Sequence, residues 1–167
     1  MTSELTGIQK ELLDLLEKNS RMNGSELAIL LGLTEIEVAN EIVRLEERGI
    51  ICGYHTLINW ENTSLEKVTA LIEVRVTLQR GQGFETIAER IYKYPEVQSV
   101  YLISGGYDLM VIIEEKSLKE IANFVSDRLS TLESVLSTAT HFILKKYKDH
   151  GSILHKKYDD EREMITP

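Results

Sequence analysis

The stretch that decides the fold is Leu27–Tyr54, LAILLGLTEIEVANEIVRLEERGIICGY. It reads as a short helix, a tight turn, a second helix and an extended segment. Gly32 follows the apolar run Leu27, Ile29, Leu30 and Leu31, and glycine there takes the left-handed conformation that ends a helix. Thr34-Glu35-Ile36-Glu37 has the S/T-x-x-E form of a capping box, so a new helix starts at Thr34. Val38, Ile42 and Leu45 fall at helical spacing and predict one buried face, with Ile36 and Val43 at its margins. Gly49 stops the helix, and Ile50-Ile51 opens an extended segment. Two helices joined at a glycine form a helix-turn-helix unit, whose second helix can lie in a DNA major groove. An ordinary helical hairpin without a ligand fits the same spacing.

Upstream, Leu5, Ile8, Leu12, Leu15 and Leu16 repeat at helical spacing and predict a helix over Glu4–Lys18. Asn19, Ser20 and Asn23-Gly24 close it. The next helix runs from about Ser25 to Leu31 and the third from about Glu35 to Arg48. With an extended strand over Ile50–Ile58, residues 1–58 form a winged or extended helix-turn-helix domain. Residues 59–67, NWENTSLEK, are a polar linker holding the single tryptophan, Trp60, read as an anchor to one domain or to a second subunit.

Downstream the rhythm changes to period two. Val68, Ala70, Ile72, Val74 and Val76 alternate with Thr69, Leu71, Glu73, Arg75 and Thr77, a strand with one buried face. Gly81-Gln82-Gly83 turns the chain into a helix carrying Phe84, Ile87, Ala88 and Ile91. A second strand covers Val97–Ser104, with Val97, Ser99, Tyr101 and Ile103 on one face and Val100 and Leu102 on the other. Gly105-Gly106 makes a hairpin into a third strand, Tyr107–Glu114. Ser117 begins a helix bearing Leu118, Ile121, Ala122, Val125 and Leu129, and Val135–Lys146 is a fourth strand. The order strand, helix, strand, strand, helix, strand predicts a ferredoxin-like βαββαβ domain over residues 68–150. The fold class is thus α+β. One sheet face stays open and partly apolar, which predicts cover by another copy. The charged tail, residues 151–167, is read as flexible or docked on a partner subunit.

Composition sets limits on function. No apolar run is long enough to span a membrane. The N-terminus lacks the basic-then-apolar pattern of a signal peptide, and the single cysteine, Cys52, has no internal disulfide partner. Both point to the cytoplasm, and Cys52 is read as a small core residue. His55, His141, His150 and His155 show no metal-ligand spacing, so neither a metal nor a cofactor is expected. No nucleophile elbow or P-loop appears, and catalysis is not expected. The net charge is −8, and residues 1–58 carry five basic against ten acidic side chains, the larger share of that excess. DNA affinity rests on phosphate neutralisation, so any DNA binding here must be weak per domain or shared among several.

Two groups of residues carry the candidate chemistry. On the third helix the outward positions are read as Glu37, Asn40, Glu41 and Arg44. Asn40 suits adenine, and Arg44 suits guanine or a phosphate. Lys18, Arg21 and Arg48 add positive charge, and Ser25 and Thr34 stand at the two helix starts. The second group is Ser104-Gly105-Gly106-Tyr107-Asp108. Exposed glycine amides suit a carboxylate and Asp108 suits an ammonium, so the loop can hold an amino acid by its backbone ends. A plain hairpin, with glycines at positive φ and Asp108 bonding its own backbone, fits equally. Ser137, Thr138 and Thr140 on the fourth strand can complete a pocket between subunits, or simply reflect strand propensity.

NSRMNGSELAILLGLTEIEV, RLEERGIICGY, YPEVQSVYLISGGYDLMV and LESVLSTATHFILKKYK together resemble the Lrp/AsnC, or feast/famine, transcription regulators over nearly the whole chain. The resemblance implies an N-terminal helix-turn-helix domain, a linker strand and a C-terminal ferredoxin-like domain. It further implies a homodimer that assembles into octamers or higher rings and binds amino acids or related metabolites between dimers. Gly105, Gly106, Tyr107 and Asp108 match the family's effector loop, and Thr138 and Thr140 its last-strand threonines. Glu41 departs from it, standing in NEIVRLE where the family commonly has a basic residue. A ring presenting many units compensates for weak single contacts. The expected function is a DNA-binding, metabolite-responsive regulator. The alternative is a metabolite-binding or protein-interaction module whose helix-turn-helix binds DNA weakly or not at all.

Overall fold

A computed structural model describes residues 4–78 and 83–155. The chain divides between Thr56 and Leu57 into two compact units. The first holds three helices: α1 (Gly7–Lys18), α2 (Gly24–Leu31) and α3 (Glu35–Glu47). Each starts at a reciprocal cap. Thr6 pairs with Gln9, Asn23 with Glu26 and Thr34 with Glu37, side chain to backbone in both directions. The Thr6 cap delays α1 to Gly7, three residues later than the apolar spacing predicts. Gly32 closes α2 at φ +66° and Gly49 follows α3 at φ +64°, both in the left-handed region. Leu12, Leu16, Leu27, Ala28, Val38 and Leu45 form the core.

Three expectations for this unit need correction. Ile36 and Val43 do not flank the buried face of α3: they are 74% and 48% exposed. The segment after Ile50 forms no strand, because nothing in the described chain pairs with it and an extended segment becomes a strand only on a ladder. Its tie is Tyr54, whose hydroxyl donates to Glu46 Oε1 at 3.0 Å. Partial burial, then that carboxylate, push the Tyr54 phenol pKa up. Cys52 is exposed, not a core residue.

The second unit is an antiparallel four-stranded sheet in the order β2-β3-β1-β4. Its strands are β1 (Val68–Val76), β2 (Val97–Leu102), β3 (Leu109–Glu115) and β4 (Val135–Phe142). Helices α4 (Phe84–Tyr92) and α5 (Leu118–Phe124) supply Ile87, Ile91, Ile121 and Phe124 to the core under Ala70, Ile72, Val74, Leu109, Val111 and Ile113. A π turn, Val125–Leu129, extends α5. The wider turn brings Leu129, foreseen from sequence, into the core five residues after Phe124, which the apolar spacing left out. The predicted turn at Gly81-Gln82 lies outside the described residues.

A bulge between Val97 and Ser99 corrects the face assignment of β2. The extra residue puts Val97 and Val100 together on the core side, opposite Ile113 and Val111. Ser99 and Tyr101 lie on the open face with Met110, Ile112, Leu71 and Glu73. There Glu73 pairs with His141 at 3.2 Å. Strand β4 ends at Phe142, four residues early, because β1 offers its last rung at Thr69 O to Ile143 N. Beyond it, β5 (Lys148–Asp149) and β6 (Ser152–Ile153) form a hairpin unforeseen from sequence. His150 at φ +42° and Gly151 at φ +78° make its two-residue turn. The tail from residue 156 lies outside the described residues.

Among these elements the α3 cap offers a local test. Thr34→Ala is expected to lower the stability of the helical unit by about 1 kcal/mol, with Thr34→Ser close to the native chain. Urea unfolding followed by far-UV circular dichroism measures both.

Candidate functional site

The first candidate site is the surface of α3. Its polar residues are more occupied than their spacing implies. Thr34 Oγ1 accepts from Glu37 N at 3.3 Å and donates to Glu37 Oε2 at 2.8 Å. Glu37 Oε2 also accepts from Thr34 N at 2.8 Å. The backbone bond, then the hydroxyl bond, hold the Glu37 carboxyl below its ordinary pKa. Because the folded value is depressed, the cap's stabilisation is complete above the ordinary glutamate range and fades as pH falls through the folded pKa. Glu37→Gln keeps the cap and is expected to flatten that acid limb, read as urea midpoints across a pH series.

Glu41 is turned inward, not outward as expected. It accepts from Gln9 Nε2 of α1 at 2.8 Å and pairs with Arg44 Nη1 one turn on. Its side chain is only 19% exposed, against 64% for Arg44. Gln9, 7% exposed, also accepts from Thr6 N at 3.2 Å and from Arg48 Nη1 at 3.4 Å. Gln9 therefore fastens α1 to α3. Sequence reading passed over both the Thr6–Gln9 cap and the bond from Gln9 to Glu41. Thr6, Gln9, Glu41 and Arg44 line a cleft of about 490 Å³ with Leu33, Asn40 and Glu37. Asn40 is exposed, as expected, and so are Lys18, Arg21 and Ser25.

The second candidate site is the loop from Ser104 to Asp108. Ile103 N donates to Asp108 O at 2.8 Å and closes it. The plain-hairpin alternative does not describe it. The positive-φ glycines among the described residues are Gly32, Gly49 and Gly151, so Gly105 and Gly106 do not supply that conformation. A Cβ on Gly106 would meet open space, and one on Gly105 only Ile103 Cγ2 at 3.6 Å. Nothing among the described residues demands glycine at either place. Asp108 bonds a neighbouring strand, accepting from Val76 N at 2.8 Å through Oδ2. Val76 lies where the β1–β4 register shifts, so the carboxylate satisfies an N–H freed at that irregularity. Asp108 N donates to Val74 O at 3.1 Å.

Thr138 and Thr140 are half-buried on β4, opposite Val74 and Ile72. Antiparallel partners share a face, so both threonines lie on the helix-covered side, while Ser137, opposite Arg75, lies on the other. Asp108 and Thr138 thus flank Val74 from the two sides of β1, and Thr140 stands farther from the loop. Within one chain the loop and the threonines are separated by a strand. Trp60 anchors within the second unit: Lys67 Nζ lies 4.1 Å from its ring centroid and 2.6 Å from Glu114 Oε2. It walls a cavity of about 340 Å³ at the other end of the sheet, which sequence reasoning did not foresee.

Residues 69–153, which include the loop and both threonines, match the family model of the Lrp/AsnC ligand binding domain. Across 165 residues, 98% of this chain and 99% of the relative, it is 47% identical to the uncharacterized HTH-type transcriptional regulator YugG of Bacillus subtilis. The chain belongs to the Lrp/AsnC family. Its solved Lrp/AsnC neighbours include the Mycobacterium tuberculosis leucine response regulatory protein. That structure is 25% identical with TM-score 0.74, and the match covers 90% of this chain and 100% of that one. A Neisseria meningitidis transcriptional regulator solved as its L-Met complex is 25% identical with TM-score 0.68, covering 87% and 94%. This Lrp/AsnC chain is a transcription regulator, and its relatives are regulators, not enzymes. Among its described residues no helix is long and apolar enough to cross a membrane.

Proposed function

We propose that this regulator binds double-stranded DNA through its first unit and senses an amino acid or related metabolite through its second. The first unit acts as a helix-turn-helix domain, α3 entering the major groove while α2 braces the phosphates. The second acts as a ferredoxin-like sensor domain over residues 68–150, joined through residues 59–67. The observation that carries the sensor reading is the glycine pair. Neither φ nor packing requires Gly105 and Gly106, so the missing side chains serve something outside the chain, by keeping the loop amides open to a carboxylate. Asp108 offers charge for the ammonium end. Since β1 separates the loop from Thr138 and Thr140, a second copy supplies the facing half of the site. That makes the working form a homodimer, assembled further into octamers. The L-Met bound by the Neisseria relative supports an apolar amino acid as first probe. The protein works in the cytoplasm without a cofactor or a catalytic role.

Calorimetry with an amino-acid panel tests the sensor. Gly106→Val is expected to abolish the heat of the amino acid that binds while leaving the fold intact, since its Cβ meets open space. Unchanged binding in that variant removes the loop from the site. The Arg44–Glu41 pair favours one rival, a module whose α3 no longer holds DNA. Salt separates the two, because DNA binding weakens steeply with ionic strength and a protein or metabolite contact need not.

A further inference from the structure

Measured around its axis, α3 has an unexpected polarity. Val38 and Leu45 point into the core. At 3.6 residues per turn, the positions opposite are Ile36, Asn40 and Val43, with Ala39 at one edge and Glu47 at the far end. All five are exposed. From Ile36 to Val43 the face farthest from the core is therefore an apolar stripe interrupted by one amide, with the Glu47 carboxylate beyond it. The cation nearest to it, Arg44, stands to one side and is paired with Glu41. No lysine or arginine lies in the stripe, so it is not built to meet phosphates.

We infer that this stripe reads thymine: the side chains of Ile36 and Val43 contact C5-methyl groups in the major groove, with Asn40 between them on an adenine. The inference rests on the proposal that α3 enters the groove. The chemistry is complementary. The thymine methyl is the apolar group that the major-groove edge displays, and adenine suits the Asn40 amide. The dimensions agree, since the seven helical steps from Ile36 to Val43 rise about 10 Å, the rise of about three base pairs. It also answers the charge problem. A domain with ten acidic and five basic side chains gains little from phosphates, and desolvating methyl groups gives affinity that needs no positive charge. Each methyl fully desolvated is worth about fourfold in affinity.

The test is a gel-shift titration of the full chain on the region upstream of its own gene, amplified once with thymine and once with uracil, which lacks only the C5-methyl. Native protein is expected to bind the thymine probe about tenfold more tightly, the gain of one to two methyl contacts. An I36A/V43A double variant is expected to bind both probes alike, at the weaker level. Both side chains are exposed, so the variant keeps its fold, which circular dichroism verifies. Equal binding of both probes by the native protein overturns the inference and leaves DNA binding standing. Discrimination that survives in the double variant also overturns it, since the methyls are then read elsewhere. Failure to bind either probe above competitor DNA removes the groove reading and this inference with it.

Discussion

Asp108→Ala is expected to destabilise the second unit by about 1–3 kcal/mol, the cost of leaving a partly buried N–H without an acceptor. The donor is Val76 N, 2.8 Å from Oδ2, at the place where β1 slips register against β4. Asp108→Asn keeps a carbonyl oxygen for that donor, and is expected to unfold close to the native chain. The pair of variants separates two roles that alanine alone confounds. A carboxylate has two oxygens, and the bond to Val76 occupies one. If the other holds the ammonium of an amino acid, Asp108→Asn loses a charge-assisted bond worth about 1.5–3 kcal/mol, roughly ten- to hundredfold in affinity. Urea midpoints give the first quantity and calorimetry the second. An asparagine variant of native stability and native affinity would make Asp108 a strand clip and nothing more.

Glu41→Lys is expected to strengthen DNA binding by an order of magnitude, on the order of tenfold at moderate salt. Two cations appear together. The new lysine is one, and Arg44, released from its pairing, is the other. Each that reaches a phosphate steepens the slope of log affinity against log salt by about 0.9. Glu41→Gln keeps an acceptor for Gln9 Nε2 and frees Arg44 alone, so a smaller rise and a slope change of about one phosphate are expected. Affinity and slope unchanged in both variants would mean that this side of α3 does not approach phosphate, and would favour the module that has left DNA.

What sequence reading could reach follows from how local each signal is. The three-helix order, the Gly32 turn and the Thr34 box depend on residues within one or two turns, and they stood out. Strand β1 was legible because Ala70, Ile72, Val74 and Val76 are buried in alternation, with Thr69, buried next to Ala70, the departure. Strand β2 was not, since one inserted residue at the bulge inverts which side chains face inward, and no residue type announces a bulge. The π turn, a change of period within one element, brings the foreseen Leu129 inward beside Phe124, which sequence spacing passed over. The candidate site suffered most from long-range partners. Glu41 was assigned to the outside because its partner, Gln9, lies thirty-two positions away. Asp108 was assigned to its own loop because Val76, equally distant, is reached only through the sheet. Ile36 and Val43 were drawn towards the core by their hydrophobicity, where a face opposite Val38 and Leu45 should have been read by angle.

The lone sulfhydryl of Cys52 sits on the surface, with Sγ 3.2 Å from Gly49 O, in the stretch that leads from the helical unit towards the sheet. A maleimide dye will therefore attach at one known place without any engineering of the chain. The same accessibility means that copies kept without a reductant will crosslink in pairs, so laddering on a non-reducing gel must be excluded before any mass is taken as evidence of native assembly.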